Sequence, residues 1–217
     1  MKTFVIAMPN EAETVVRHLA DRRAETLFGR EVVRGTLGGE PTAVVTCGVG
    51  KANAAAGTQL ALSLGADAVL NVGVAGGLDP RMAVGEIYGV DRAVQYDFDL
   101  SEINGTPKGT LNEYAEPHLR LATPPRPFPL RTLATGDRFT DAEDDFDLVI
   151  GRLQSSLRDM EGAAIAHVCD RAGVPCHSWK ALSDVRGGGS MTGQYRERAA
   201  FALERLAEAV PALFAAV

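Results

Sequence analysis

The stretch from residue 42 to residue 77 constrains this chain more than any other. A β-branched run over 42–47 is broken by Gly48-Val49-Gly50-Lys51, and an alanine-rich segment from Ala52 to about Leu64 follows. Gly65-Ala66-Asp67 then returns the chain to the apolar run Ala68-Val69-Leu70-Asn71-Val72. Strand, glycine turn, helix and strand in that order make a βαβ unit, which joins parallel strands through a covering helix. The chain is therefore read as an α/β protein.

Other elements are expected around this unit. A first strand over 3–8 precedes a helix that carries Ala12, Val15, Val16 and Leu19 at helical spacing. Runs over 31–37 and 42–47 flank Gly38-Gly39-Glu40-Pro41, the pattern of a hairpin. Further strands are expected over 86–90, 131–135 and 176–180. A last helix is expected from about Gln194 to Phe214, with Ala200, Leu203, Leu206 and Val210 along one face. Six prolines between Asn104 and Pro129 predict a long irregular segment. No repeat or linker divides the 217 residues, so 1–217 is read as a single domain. A composition 46% hydrophobic and 23% charged suits a globular protein with a full core.

A net charge of -6 argues against a general affinity for nucleic acid or anionic membrane and favours a small-molecule ligand. The first eight residues are too short and too little apolar for a signal peptide or spanning helix, and read as the first strand of a cytoplasmic protein. Cys47, Cys169 and Cys176 are an odd number without framework spacing, which suits buried thiols in a reducing compartment. His167 and Cys169 are two apart on an expected helix and diverge by about 200°, so they do not grip one zinc ion.

The glycine motifs fit no nucleotide fingerprint. Gly48-Val49-Gly50-Lys51 lacks the first glycine and the final Ser or Thr of a phosphate-binding loop, and Gly73, Gly76 and Gly77 do not space as GxGxxG. The latter glycines are expected to follow the strand and to serve tight packing and close ligand approach. The strand over 176–180 delivers Ser183-Asp184 at its carboxyl end, where ligands collect in α/β sheets. Glu11 and Glu161 each stand in the first turn of an expected helix. There a carboxylate favours the helix dipole by up to about 1 kcal/mol, and Asp184 could be a turn residue before Gly187-Gly188-Gly189. On the residues alone, structural and functional readings of all three stay open.

Six blocks taken together carry a resemblance. They are Ala7-Met8-x-x-Glu11, Gly48-Val49-Gly50-Lys51-x-Asn53-Ala54-Ala55, Asn71-Val72-Gly73-Val74-Ala75-Gly76-Gly77-Leu78 with Val84-Gly85-Glu86-Ile87, Thr135-Gly136-Asp137-x-Phe139, Asp159-Met160-Glu161-Gly162-Ala163-Ala164-Ile165-Ala166, and Ala181-Leu182-Ser183-Asp184. In this order they resemble the 5'-methylthioadenosine/S-adenosylhomocysteine nucleosidases, from the first strand to about Asp184. The resemblance implies the three-layer nucleoside phosphorylase fold, a central mixed β-sheet flanked by helices. It also implies a homodimer, a purine nucleoside substrate, and neither metal nor organic cofactor.

Carried over by position, the resemblance implies that Asp184 protonates adenine N7, Glu161 binds the ribose hydroxyls, and Glu11 holds and activates the attacking water. An aspartic acid that donates a proton near neutrality needs burial or a neighbouring carboxylate, so Asp184 is expected to be partly buried. Phe139 is implied to stack on adenine, the backbone of Thr140 to read its edge, and Met160 to pack on the ribose. Met8 and Ile103 are implied to surround the 5'-thioalkyl group, Ile103 by reaching a neighbouring chain, with Val74, Gly76 and Ser183 lining the site. Lys180 stands where many members carry an arginine, which keeps the charge and loses the bidentate geometry. The residues after Asp184, Val185 to Thr192, lack the usual helix-leading pattern with its aromatic residue, which leaves the 5'-substituent open. Two rivals are weighed. A phosphorylase would need arginines near a phosphate, where this chain has Glu11 and Asn71-Val72-Gly73; a silent nucleoside-binding protein has no need of all three acids.

Overall fold

A computed structural model describes residues 1–139 and 143–217, with backbone alone at 143 and 144. The strands are β1 (Lys2–Ile6), β2 (Ala20–Leu27), β3 (Arg30–Leu37), β4 (Glu40–Thr46), β5 (Ala68–Gly77), β6 (Ile87–Gln95), β7 (Leu119–Arg120), β8 (Leu130–Thr135), β9 (Leu157–Asp159) and β10 (Cys176–Val185). The helices are α1 (Pro9–Val16), α2 (Lys51–Ser63), α3 (Ser101–Asn104), α4 (Glu143–Phe146), α5 (Gly162–Ala172) and α6 (Met191–Ala215). The chain after α4 continues as π-helical winding over Asp147–Arg152.

The strands form one mixed sheet in the order β10-β6-β8-β9-β5-β1-β4-β3-β2, with β7 paired to β6. β4, β1, β5 and β10 run parallel, so α2 carries the chain from β4 over β1 to β5, the crossover expected from the glycine turn. β5 also pairs with β10, so β5, β10, β6, β8 and β9 close into a ring. Helices cover both faces. Phe4 and Ile6 of β1 pack with Val15 of α1 and Leu206 and Val210 of α6, whereas Val5 between them packs with Leu60 of α2 and Ile165 of α5. The two-residue period of the strand thus feeds two cores, each fully buried aliphatic contributing about 1.5–3 kcal/mol.

The Gly38-Gly39 turn joins β3 to β4 with φ of 59° and 84°, the positive-φ pair that a two-residue hairpin needs. β2 escapes the sequence reading because all but its last residue are exposed, so no alternation marks it. Three expected boundaries are corrected. Gly73, Gly76 and Gly77 lie inside β5 rather than after it, β10 continues through Ser183 and Asp184 to Val185, and α6 begins at Met191 because Ser190 caps it, accepting from Gly193 N at 3.3 Å. Among the described residues no helix is long and apolar enough to cross a membrane.

Candidate active site

A cavity of about 470 Å³ opens beyond the end of β1 and against the last turns of β5 and β10. That volume suits a small ligand. Three carboxylates converge on it, each delivered by a different element and each held by hydrogen bonds.

Glu11 is in the first turn of α1, where Pro9 starts the helix without needing a donor N–H. Its carboxylate turns back to accept from Met8 N at 3.2 Å and crosses to β5 to accept from Val74 N at 2.9 Å. Gly73 makes this possible, since a Cβ there would sit 2.7 Å from Glu11 Oε1. Part of the glycine signal is therefore room for the protein's own acid. Glu161 caps the start of α5 and accepts from Gly50 N at 2.8 Å, while Lys51 N donates to Asp137 Oδ1 at 2.7 Å. The N-terminus of α2, a ready anion site, is thus filled by carboxylates of this chain. Asp184 is 1% exposed, more deeply set than expected, and its Oδ2 accepts from Ser183 Oγ at 2.7 Å. Gly76 leaves space for it, because a Cβ there would lie 2.9 Å from Asp184 Oδ1.

Beneath these acids lies Lys180, 2% exposed and paired across the β10–β5 ladder with Gly73. Its ammonium meets Asp159 Oδ2 at 2.9 Å, and Asp159 also accepts from Thr135 Oγ1 at 2.6 Å and from Gly162 N at 2.9 Å. Burial pulls the Lys180 pKa down, yet the charges of Asp159, Glu161 and Glu11 outweigh it and leave the value raised. Burial pushes the Glu11 carboxyl up, opposed by Lys180 and by the Val74 and Met8 amides. Glu161 is pushed to about 7, first by burial and then by the charge of Asp159, against the Gly50 N–H and Lys180. Glu11 and Glu161, both raised by burial, share this pocket with one ammonium and do not both ionise cheaply out of water, so Glu161 keeps a proton available near neutrality.

Met8, Val74, Gly76, Met160 and Ser183 line the cavity together with the three acids. Phe139 stands at its mouth, 46% exposed, with its ring 5.5 Å from that of Tyr195. Lys180 lies behind the lining rather than in it. Ile103, on α3, is 82% exposed and is not part of this cavity, and Thr140 lies outside the described residues. Sequence reasoning missed Asp159 as a site residue, although it stands two positions before Glu161. It also missed Thr192, Tyr195 and Arg196, which the first turns of α6 present to the cavity at helical spacing. Tyr195 supplies an aromatic residue to this helix, later than the glycine run suggested, and its hydroxyl lies 3.9 Å from Met8 Sδ. Among the described residues no group of His, Cys, Asp and Glu could hold a metal ion.

Comparison with known proteins gives the chain a family. Residues 3–217 match the phosphorylase superfamily. The 5'-methylthioadenosine/S-adenosylhomocysteine nucleosidase of Geobacillus thermodenitrificans is 33% identical over 201 residues, which cover 86% of this chain and 85% of that protein. Futalosine hydrolase of Helicobacter pylori has the same fold, with a TM-score of 0.91 over 100% of this chain and 97% of that one at 21% identity. A 5'-methylthioadenosine/S-adenosylhomocysteine nucleosidase from Colwellia psychrerythraea, in complex with adenine, is 25% identical with a TM-score of 0.88, covering 99% of this chain and 95% of that one.

Proposed function

This chain belongs to the phosphorylase superfamily and, within it, to the 5'-methylthioadenosine/S-adenosylhomocysteine nucleosidase family, and on that premise we propose that it hydrolyses the N-glycosidic bond of an adenine nucleoside bearing a 5'-thio substituent. The observation that carries this reading is the convergence of Glu11, Glu161 and Asp184 on one cavity beside an exposed aromatic ring.

In this reaction the bond between C1' and N9 of adenine breaks as water oxygen bonds to C1'. Asp184 gives its proton to N7, so the base leaves neutral. Glu11 holds the water and takes its proton, and a carboxyl whose pKa burial has raised is the stronger base for it. Glu161, anchored to Gly50 N, accepts from the ribose hydroxyls and offsets the positive charge that builds on the sugar. Lys180 holds Asp159 and balances the acids without entering the cavity. Phe139 stacks on adenine, Thr140 reads its edge through the backbone, Met160 packs on the ribose, and Met8 borders the 5'-group. Val74, Gly76 and Ser183 complete the walls. Ile103 serves a neighbouring pocket in a cytoplasmic homodimer of single-domain chains.

The carboxylates also favour water over phosphate, because a phosphate beside Glu11 and Glu161 would be repelled. A second reading, a nucleosidase for a purine nucleoside with another 5'-substituent such as futalosine, draws on the fold shared with futalosine hydrolase. Incubation with methylthioadenosine, adenosylhomocysteine, 5'-deoxyadenosine, inosine and futalosine, with and without phosphate, tests the proposal. Free adenine and an unphosphorylated sugar, formed equally in both conditions, are expected; strict phosphate dependence would overturn it.

A further inference from the structure

Three charged residues outside the cavity lining form a closed ring of bonds. Lys51 opens α2, Asp97 lies two residues past the end of β6, and Asp137 lies two residues past the end of β8. The Lys51 ammonium meets Asp97 Oδ1 at 2.5 Å, and Asp97 Oδ2 accepts from Asp137 N at 2.9 Å. Asp137 Oδ1 closes the ring by accepting from Lys51 N at 2.7 Å.

The ring touches the site through one peptide. Gly50 N and Lys51 N are successive amides at the start of α2, and Glu161 takes the first at 2.8 Å while Asp137 takes the second. Gly50 stands between the two carboxylates at a φ of 95°, where a Cβ would lie 3.1 Å from Asp137 Oδ1. A glycine has no side chain to restrict its φ, so the aim of its amide depends on the bonds made on either side. The bond from Lys51 N to Asp137 is the one on the far side from Glu161. The Lys51–Asp97 pair is only 19% and 26% exposed, which keeps it from being an ordinary solvated surface contact.

We propose that Asp137 is a positioning residue that aims Glu161 at the ribose by fixing the Gly50 amide, with Asp97 and Lys51 as its support. The inference rests on the nucleosidase reading and adds to that site a residue outside the cavity. Kinetics with 5'-methylthioadenosine and its 2'-deoxy analogue isolate the Glu161 contact, since the two differ by one ribose hydroxyl. Their bonds differ in intrinsic lability, but equally for every variant, so the quantity read is the change in the ribo-to-deoxy ratio of kcat/KM from wild type. In Asp137→Ala this ratio should fall about tenfold, the size of one hydrogen bond to a charged group. Asp137→Asn keeps an oxygen for Lys51 N and should stay within about twofold of wild type. Asp97→Ala removes the outer support and should lower the ratio about threefold, which carries the test if Asp137→Ala does not fold. A ring that served stability alone would slow both nucleosides alike, so an unchanged ratio in the folded variants overturns the proposal. Calorimetric binding of the same pair to Asp184→Asn, with and without Asp137→Ala, reads the same ratio without turnover. A wild type that cleaves neither nucleoside would sink the hydrolase reading, while the binding ratio still decides the role of Asp137.

Discussion

The floor and the rim of the cavity are built by opposite rules. On the floor, Glu11, Asp159, Glu161, Lys180 and Asp184 are all buried, and each has its position fixed by backbone amides, by a hydroxyl or by one another. At the rim, Phe139 is 46% exposed, and Arg196 is solvent-exposed with no partner among the described residues. Groups that move protons must be desolvated and immobile, since both their pKa and their aim depend on surroundings that do not relax. Groups that select a substituent need only be within reach. Changes on the floor should therefore act on kcat, and changes at the rim on KM or on substrate choice.

The hardest test of this contrast is Asp184→Asn. The amide keeps the shape and cannot give up a proton, so kcat should fall about 10²–10⁴-fold while substrate still binds. Full activity in this variant would show that base protonation lies elsewhere. Gly73→Ala probes the same floor without replacing a titratable group. The added methyl would sit 2.7 Å from Glu11 Oε1 and must displace it, so kcat should drop about 10²-fold, as for a misplacement near 1 Å. An unchanged kcat in Gly73→Ala would mean that the Glu11 position does not control the rate.

The same division explains what the sequence disclosed. The βαβ unit, the Gly38-Gly39 hairpin and the carboxylate positions were legible because turn chemistry and family blocks mark them. β2 was not, since an exposed edge strand such as Ala20–Leu27 carries no buried alternation. Nor was the way Gly73 answers to Glu11, because that contact spans 62 residues and a glycine says only that something comes close. Asp159 was passed over for a related reason, since its partner Lys180 lies on another strand and only the fold brings them to 2.9 Å. Tyr195 and Arg196 lie inside the helix expected from Gln194, but helical spacing does not say that its first turns border a cavity built by other elements.

A pH profile sharpens the contrast at intermediate size. With Glu161 titrating at about 7, kcat/KM should fall about tenfold per unit below that pH as the carboxylate proposed to bind the ribose is neutralised. Stability should move the other way. A carboxyl whose folded pKa is raised from 4.5 to about 7 stabilises the fold fully below 4.5 and loses that contribution as pH rises to 7, on the order of 3 kcal/mol. Glu11 shifts in the same direction. Denaturant unfolding between pH 5 and pH 8 should thus show a shallower loss for Glu161→Gln than for the wild type, and equal slopes would reject the raised value.

The smallest effect belongs to the rim. Among the described residues Tyr195 is the ring that Phe139 packs against, and Phe139 keeps nearly half its surface in solvent, so its removal leaves no cavity in the core. Phe139→Leu should keep the fold and an apolar wall while losing the flat face on which a purine stacks, worth about 0.5–1.5 kcal/mol. Steady-state kinetics should then show KM raised about threefold to tenfold with kcat within a factor of two, whereas a fall confined to kcat would place Phe139 with the floor and erase the division.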